Sequence, residues 1–238
     1  SAEKAARQKV SAKMIDKKER ARAMQRYESD YVKGYKKMKI PYTLAGTNEY
    51  TERLAIMLPG AGYTAQAPLF HYASSLFLES SIDVLKVNYP YIDPFYDDFS
   101  WEELSQAINH DVSAVLDRVL PDKGYRQYIL LAKSIGTLSI ESILEKIGTH
   151  ETKVIWVTPL LKEERVADLL ADSRQQTLCI IGDKDPHYIS EQFERIKQNP
   201  FVTTRLISEM HHSLEREGHI LESIDMLKSI IKDIRDFI

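Results

Sequence analysis

The sequence contains a single cysteine, Cys179, among its 238 residues. An internal disulfide needs two cysteines and a cysteine-based metal site needs several, so one cysteine excludes both. The lack of a disulfide is consistent with a reducing compartment. Cys179 lies within the apolar run 177–181, where we expect it to be a buried packing residue.

Long apolar runs are also missing. No stretch reaches the roughly 18 apolar residues that cross a bilayer, and the first residues lack the apolar core of a secretory signal. The apolar fraction of 43 % and the charged fraction of 28 % are ordinary for a globular protein. The sequence therefore predicts a cytoplasmic protein without a membrane span, whose length suits one main domain.

The motifs of nucleotide and metal sites are absent as well. Gly60 and Gly62 lack the third glycine of G-x-G-x-x-G, and there is no Gly-Lys-Ser/Thr sequence of a phosphate-binding loop. There is no His-Glu-x-x-His, and the adjacent His211 and His212 do not have the spacing of two ligands on a helix. We therefore expect neither a cofactor nor a metal.

Charge is distributed unevenly along the chain. Residues 1–39 hold 13 Lys and Arg against 5 Asp and Glu, whereas the remainder holds 19 against 30. The composition of residues 3–38, rich in Ala, Lys, Arg, Glu and Met, predicts a helix. We interpret 1–39 as a solvated basic helical arm before a main domain at 40–238. Such an arm could mediate homo-oligomer formation, and nucleic-acid binding is not expected.

After Pro41, short apolar runs alternate with helical stretches, which is typical of a parallel sheet covered by helices. The runs are apolar on both faces, as expected for central strands. The predicted strands are 53–58, 84–88, 128–132, 154–158, 177–181 and 202–207, with a weaker one near 40–44. The predicted helices are 100–119, opened by a Ser100–Glu103 capping box, then 137–147, 163–170, 190–197 and 220–238. The order predicts an α/β fold with a mostly parallel, doubly wound sheet.

The most informative segment is 128–140, with the sequence YILLAKSIGTLSI, in which a predicted strand leads through Ser134 into a helix. Ala132 and Gly136 lie two residues before and after this serine, where a sharp strand-to-helix turn needs small side chains. The pattern resembles the nucleophile elbow of the α/β-hydrolase superfamily, in particular its small esterase-like and dienelactone-hydrolase-like members. Ala132 replaces the usual first glycine, and Thr137 stands where another glycine often occurs. The resemblance covers about residues 50–238.

The resemblance implies a catalytic triad with Ser134 as the nucleophile. The acid and the base should follow in chain order, each just after its own strand. The acid is expected at Asp185, with Asp183 as the near alternative in the same loop. The base is expected at His212, with His211 as the alternative, and only one of these neighbours can face the serine. His187 could line the mouth of the site, but we leave it outside the catalytic set.

The glycine-rich turn after the first central strand resembles the oxyanion loop of the superfamily, although it could be a simple tight turn. Backbone amides of Ala61 and of Ile135 are the expected donors to the substrate oxygen. The predicted substrate-binding residues are Gly60, Gly62, Tyr63 and Lys133. Lys133 could instead point to solvent. The aromatic residues between Tyr89 and Trp101 could form a pocket wall, but core and loop packing is favoured.

These features predict a serine hydrolase that cleaves an ester or related acyl bond of a small-molecule substrate. A serine at the nucleophile position disfavours the dehalogenase and epoxide-hydrolase branches, which the resemblance associates with aspartate. Only 159–176 separates two predicted strands, so there is little room for a large cap. The alternative function is a catalytically inactive binding or regulatory module with the same fold.

Overall fold

The computed structural model describes residues 25–47, 49–148 and 150–238. Within these ranges an eight-stranded sheet is covered by six α-helices. The strands are β1 Gln25–Lys33, β2 Lys39–Thr47, β3 Arg53–Leu58, β4 Asp83–Val87, β5 Gln127–Lys133, β6 Glu151–Val157, β7 Gln176–Gly182 and β8 Val202–Ile207. The helices are α1 Pro68–Glu79, α2 Trp101–Val119, α3 Ile140–Ile147, α4 Glu164–Ala171, α5 Ser190–Lys197 and α6 Ile220–Phe237.

The sheet has the order β1-β2-β4-β3-β5-β6-β7-β8. All pairs from β4 to β8 are parallel, whereas β1–β2 and β2–β4 are antiparallel. The prediction of a mostly parallel doubly wound sheet is therefore confirmed. Because the parallel strands all end at one edge, the loops that follow β3, β5, β7 and β8 meet there.

Helices cover both faces of the sheet, which explains why its central strands are apolar throughout. On β3, Leu54 and Ile56 face α2–α5, and Ala55 and Met57 face α1 and α6. This alternation is repeated on β5, and each face has its own buried cluster. Cys179 is fully buried in β7, as predicted. The two clusters fix the sheet between its helices and give the strand-end loops a rigid base.

The strand predictions agree closely with the structure. Strands β3 and β8 have the predicted bounds, and the others differ by one to three residues at their ends. The predicted helix 137–147 is correct only from Ile140 onwards, because residues 134–139 form a 3₁₀ turn. No bounds were predicted for helix α1. At the start of α2, the Ser100 hydroxyl accepts a hydrogen bond from the Glu103 amide (3.1 Å), whereas the Glu103 carboxylate binds Lys36 at 2.5 Å.

The helical arm predicted for residues 3–38 is wrong for residues 25–33, which form β1. This strand pairs with β2 over nine residues, and Arg26 binds the buried carboxylate of Asp83 at 2.7 Å. This strand pairing outweighs the modest preference of these residues for a helix. Residues 25–33 of the arm are thus an edge strand of the main sheet, and a 3₁₀ turn follows at Tyr35–Lys37. Residues 1–24, which hold the rest of the predicted arm, lie outside the described residues.

Among the helices of residues 25–47, 49–148 and 150–238, none has both the length and the apolar composition of a membrane span.

Candidate active site

Ser134 lies in a strained turn directly after β5. Its φ angle is +53°, in the left-handed region that residues other than glycine rarely adopt. The residue opens the 3₁₀ turn 134–139, and the Thr137 hydroxyl donates a hydrogen bond to the Ser134 carbonyl (2.5 Å). Such a strand-to-helix turn holds the serine hydroxyl at the carboxyl edge of the sheet.

Small residues on either side of Ser134 allow this turn to pack against β3. Ala132 is fully buried and pairs with Leu58 on one side and Trp156 on the other. At Gly136, a β-carbon would lie only 2.2 Å from the carbonyl oxygen of Leu58. The contact is with backbone, which cannot rotate away as a side chain could. Glycine is therefore required at position 136, because the turn and the β3 backbone lie too close together for a side chain.

We expect Gly136→Ala to lower the free energy of unfolding by roughly 1–3 kcal/mol, because the added methyl group must displace the β3 backbone. Urea unfolding followed by circular dichroism measures this change. Gly62→Ala is the matched control, since a β-carbon there would meet nothing within 4 Å. Equal stability of the two variants would show that the turn does not need the close contact.

Ser134, His212 and Asp185 form one continuous hydrogen-bonded chain. The Nε2 atom of His212 is 2.7 Å from the Ser134 hydroxyl oxygen, and Nδ1 is 2.7 Å from Oδ2 of Asp185. An ionised carboxylate only accepts, so Nδ1 carries the proton and Nε2 is free to accept from the hydroxyl. The second oxygen of Asp185 accepts from the His187 amide (2.8 Å). Both carboxylate oxygens are therefore held in place, and the one bonded to Nδ1 orients the imidazole.

The alternative candidates for the acid and the base, Asp183 and His211, lie outside this hydrogen-bonded chain. Asp183 accepts hydrogen bonds from the Glu209 amide (2.7 Å) and the Ser208 hydroxyl (3.3 Å), which hold the turn after β8. His211 is exposed, and its amide binds the Glu215 carbonyl. The structure thus brings together the favoured member of each pair.

Close packing between two loops brings the acid and the base together. A β-carbon at Gly182 would lie 2.0 Å from the Met210 carbonyl oxygen, so only glycine lets the two segments touch. Backbone hydrogen bonds from Asp183 to Ile207 and from Lys184 to Met210 extend this contact. The residues that follow each segment, Asp185 and His212, are consequently within hydrogen-bonding distance.

His187 contacts two members of the hydrogen-bonded chain, although the sequence indicated only that it could line the mouth of the site. Its amide fixes Asp185, and its ring centroid is 5.1 Å from that of His212. Burial lowers the pKa of His187, and so does a positive charge on His212 whenever that ring is protonated, which favours the neutral form of His187. The Asp-x-His spacing is typical of a turn in which a side-chain oxygen accepts from the amide two residues later. That spacing was the available signal for this contact.

The loop after β3 lies against the nucleophile. A β-carbon at Gly60 would be 3.4 Å from the β-carbon of Ser134, and the Gly60 amide already donates to the Tyr63 carbonyl (3.0 Å). The buried Tyr89 hydroxyl donates to the Pro59 carbonyl at the start of the same loop. Gly62 is exposed, and the Tyr63 hydroxyl accepts from the Leu69 amide (3.2 Å). The loop is therefore fixed at both ends beside Ser134, with Ala61 between them.

The aromatic residues after β4 mainly pack against one another and the core. Tyr89 stacks on Tyr91 with centroids 4.6 Å apart, and Tyr96 meets Tyr91 edge-on at 4.9 Å. All three are buried, and the Tyr91 hydroxyl donates to the buried carboxylate of Asp111 (2.6 Å). Their packing anchors Tyr89, which in turn holds the loop at Pro59.

Lys133 does not point to solvent, so that alternative is wrong, and its expected role in substrate binding stays a prediction. Its side chain is buried, because odd-numbered residues of β5 face the layer of α1 and α6. The ammonium group donates to the His212 carbonyl (2.6 Å) and to the Thr158 hydroxyl (2.9 Å). Burial lowers the pKa of Lys133 to about 8, and the nearby Asp185 partly opposes this shift.

In the described part of the chain, no group of three or more His, Cys, Asp and Glu side chains is arranged to hold a metal ion.

Comparison by sequence gives no relatives. No protein-family model matches the chain, and no curated protein matches it. Solved structures, by contrast, match over most of its length. One is a protein of unknown function from Agrobacterium tumefaciens described as an α/β hydrolase, with 17 % identity and a TM-score of 0.67. The match covers 88 % of this chain and 94 % of that one.

Two further structures match similarly. A Xanthomonas campestris protein described as an α/β serine hydrolase without a lid has 16 % identity and a TM-score of 0.63, covering 89 % of this chain and 95 % of that one. An esterase from Pyrococcus furiosus has 11 % identity and a TM-score of 0.63, with 89 % and 91 % covered. With the sheet order and the turn at Ser134, these matches show that the chain has the α/β-hydrolase fold.

Proposed function

We propose that this protein is a serine hydrolase that cleaves an ester or related acyl bond of a small molecule. The observation that supports this most strongly is the hydrogen-bonded chain from the Ser134 hydroxyl through His212 to Asp185, with both bonds at 2.7 Å. A neutral hydroxyl is a poor nucleophile, and an adjacent base that removes its proton during attack makes it a good one. The descriptions of the structural matches as hydrolases and esterases agree with this chemistry.

The proposed reaction has two steps. Ser134 attacks the acyl carbon, and His212 takes its proton and returns it to the leaving alcohol, which leaves an acyl-enzyme. Water then attacks the acyl group, again assisted by His212, and releases the acid. Asp185 orients the imidazole and stabilises its charged form. The amides of Ile135 and Ala61 stabilise the negative oxygen, and removing one such donor in other enzymes costs about 3–4 kcal/mol.

The surroundings of the serine favour a compact acyl group. Only residues 158–175 lie between β6 and β7, and α4 occupies much of this segment, so the connection forms no large cap. A groove of about 620 Å³ lies between α2, α3 and α4; Thr137 lines it, whereas Ser134, Asp185 and His212 do not. Its walls combine apolar Leu138 and Val166 with acidic Glu141 and Glu145, so it is not an apolar channel for a long acyl chain.

An active-site-directed fluorophosphonate tests the proposal. It should label the wild-type protein once, with the adduct on the peptide that contains Ser134, and labelling should require a folded protein. A panel of p-nitrophenyl esters from acetate to palmitate should then be hydrolysed, with the shorter acyl chains preferred. A folded protein that is neither labelled nor active on any ester would instead support a binding or regulatory module.

Asp185→Asn should reduce kcat about 10⁴-fold, because an amide in place of the carboxylate favours the wrong imidazole tautomer. The measurement is steady-state hydrolysis of p-nitrophenyl acetate. Asp183→Asn makes the same chemical change two residues away, where the side chain holds a turn, and should leave kcat within a few-fold of wild type. A larger loss in Asp183→Asn than in Asp185→Asn would contradict the assignment of the acid.

A further inference from the structure

Lys133 is a buried cation that the reaction scheme does not use. The residue directly precedes Ser134, and only 1 % of its surface is exposed. Burying a lone charge is unfavourable, and an apolar side chain of similar length would fill the space without that penalty. The partners of the ammonium group therefore need an explanation beyond packing.

Those partners belong to three different segments around the site. The first is the carbonyl of His212 (2.6 Å), in the loop after β8, and the second is the Thr158 hydroxyl (2.9 Å), just after β6. The third is the ring of Tyr63, in the loop after β3, whose centroid lies 4.8 Å from the ammonium nitrogen. A lysine has three N–H donors, and these contacts use two of them for oxygens and direct the charge at a π-face.

The contact with His212 bears directly on the base. Asp185 fixes one end of the imidazole, but the position of the ring also depends on its own backbone, which lies in a loop. The bond from Lys133 holds the carbonyl of that same residue to the strand that carries the nucleophile. The contact with Tyr63 holds the loop beside Ser134 in the same way.

We propose that Lys133 is a positioning residue that fixes the backbone of His212 and the loop at Tyr63 relative to Ser134. This inference rests on the proposed hydrolase function. Because a misplacement of about 1 Å can reduce a rate roughly 10²-fold, loss of the ammonium group should lower kcat and leave substrate affinity nearly unchanged.

The charge of Lys133 also predicts how the rate depends on pH. The groups around it that titrate or carry charge are Asp185, His212 and Tyr63. Burial lowers the pKa of Lys133 to about 8 and raises the pKa of Tyr63, so the phenol stays neutral where the lysine loses its proton. The charged form makes the stronger contacts. The wild-type kcat should therefore decline as pH rises through about 8, where Lys133 loses its charge.

The test is the kcat and KM of Lys133→Met for p-nitrophenyl acetate between pH 6 and 10. We expect kcat to fall about 10- to 100-fold at pH 7.5, KM to stay within about twofold, and the alkaline decline to disappear. Lys153→Met is the matched control. Lys153 lies on the neighbouring strand and binds the backbone carbonyls of Phe237 (2.8 Å) and Ile238 (3.2 Å), away from the site. It should leave both kcat and the alkaline decline unchanged.

If Lys133→Met does not fold, Thr158→Val supplies the same test by removing one acceptor of the ammonium group. It should lower kcat and shift the alkaline decline to lower pH, because the buried charge loses a partner. A wild-type rate and pH profile in whichever variant folds would overturn the positioning role while leaving the hydrolase proposal intact. A wild-type protein without activity or fluorophosphonate labelling would defeat the hydrolase proposal instead.

Discussion

Ser134→Ala should reduce kcat for p-nitrophenyl acetate on the order of 10⁶-fold and abolish fluorophosphonate labelling. Alanine has no hydroxyl, so neither the acyl-enzyme nor the phosphonylated adduct can form. Any residual rate should come from direct attack by water, which His212 can activate, with the negative oxygen of the transition state stabilised by the backbone amides. The measurement is ester hydrolysis at high enzyme concentration, with the product followed by absorbance.

Two controls test whether the loss of activity is specific to the Ser134 hydroxyl. Ser75→Ala removes an exposed hydroxyl on α1 whose partner is the His71 carbonyl, and should hydrolyse the ester at the wild-type rate. Circular dichroism should show that Ser134→Ala is folded. Undiminished turnover or labelling in folded Ser134→Ala would mean that the nucleophile is another residue.

His212→Ala should cause a loss of similar size, about 10⁶-fold in kcat, because Ser134 would keep its hydroxyl but lose the base that deprotonates it. In the structure the imidazole is the link between the serine and the carboxylate, with 2.7 Å contacts on both sides. The same ester assay measures this loss, and the fluorophosphonate should react with the variant far more slowly than with wild type.

His211→Ala is the natural control, since it deletes the same side chain at the adjacent position. His211 is exposed and only its backbone holds the loop, so its kcat should stay within a few-fold of wild type. The reverse pattern, with His211→Ala inactive and His212→Ala active, would reassign the base to the neighbour. Loss of activity in both would point to the loop and not to one imidazole.

The sequence predicted the central strands well because their signal is local. Strands β3 and β8 have the predicted bounds, since short apolar runs between turn residues leave little choice of position. The edge strand β1 was mistaken for helix because its stability comes from pairing with β2, and composition does not record such pairing. Helix α1 begins after Ala67 without a side-chain cap, so it lacked the start signal that identified α2.

The reactive groups of the candidate site could be predicted from the sequence, but the contacts that hold them in position could not. Ser134, Asp185 and His212 each follow a strand, and parallel strands bring such positions to one edge. The buried direction of Lys133 was not predicted, although strand alternation with Ile129 and Leu131, which face the same buried layer, could have indicated it. The partners of Lys133 could not be predicted from the sequence, because they lie on loops whose paths depend on the whole assembled sheet.

The bond between Ser134 and His212 joins residues 78 positions apart, and the bond between His212 and Asp185 spans 27. Neither can exist in a chain that has folded only as far as β6. For the proposed hydrolase, turnover should therefore report cooperative assembly: it should vanish once β7 or β8 detaches, even while the hairpin of β1 and β2 at the far edge stays intact.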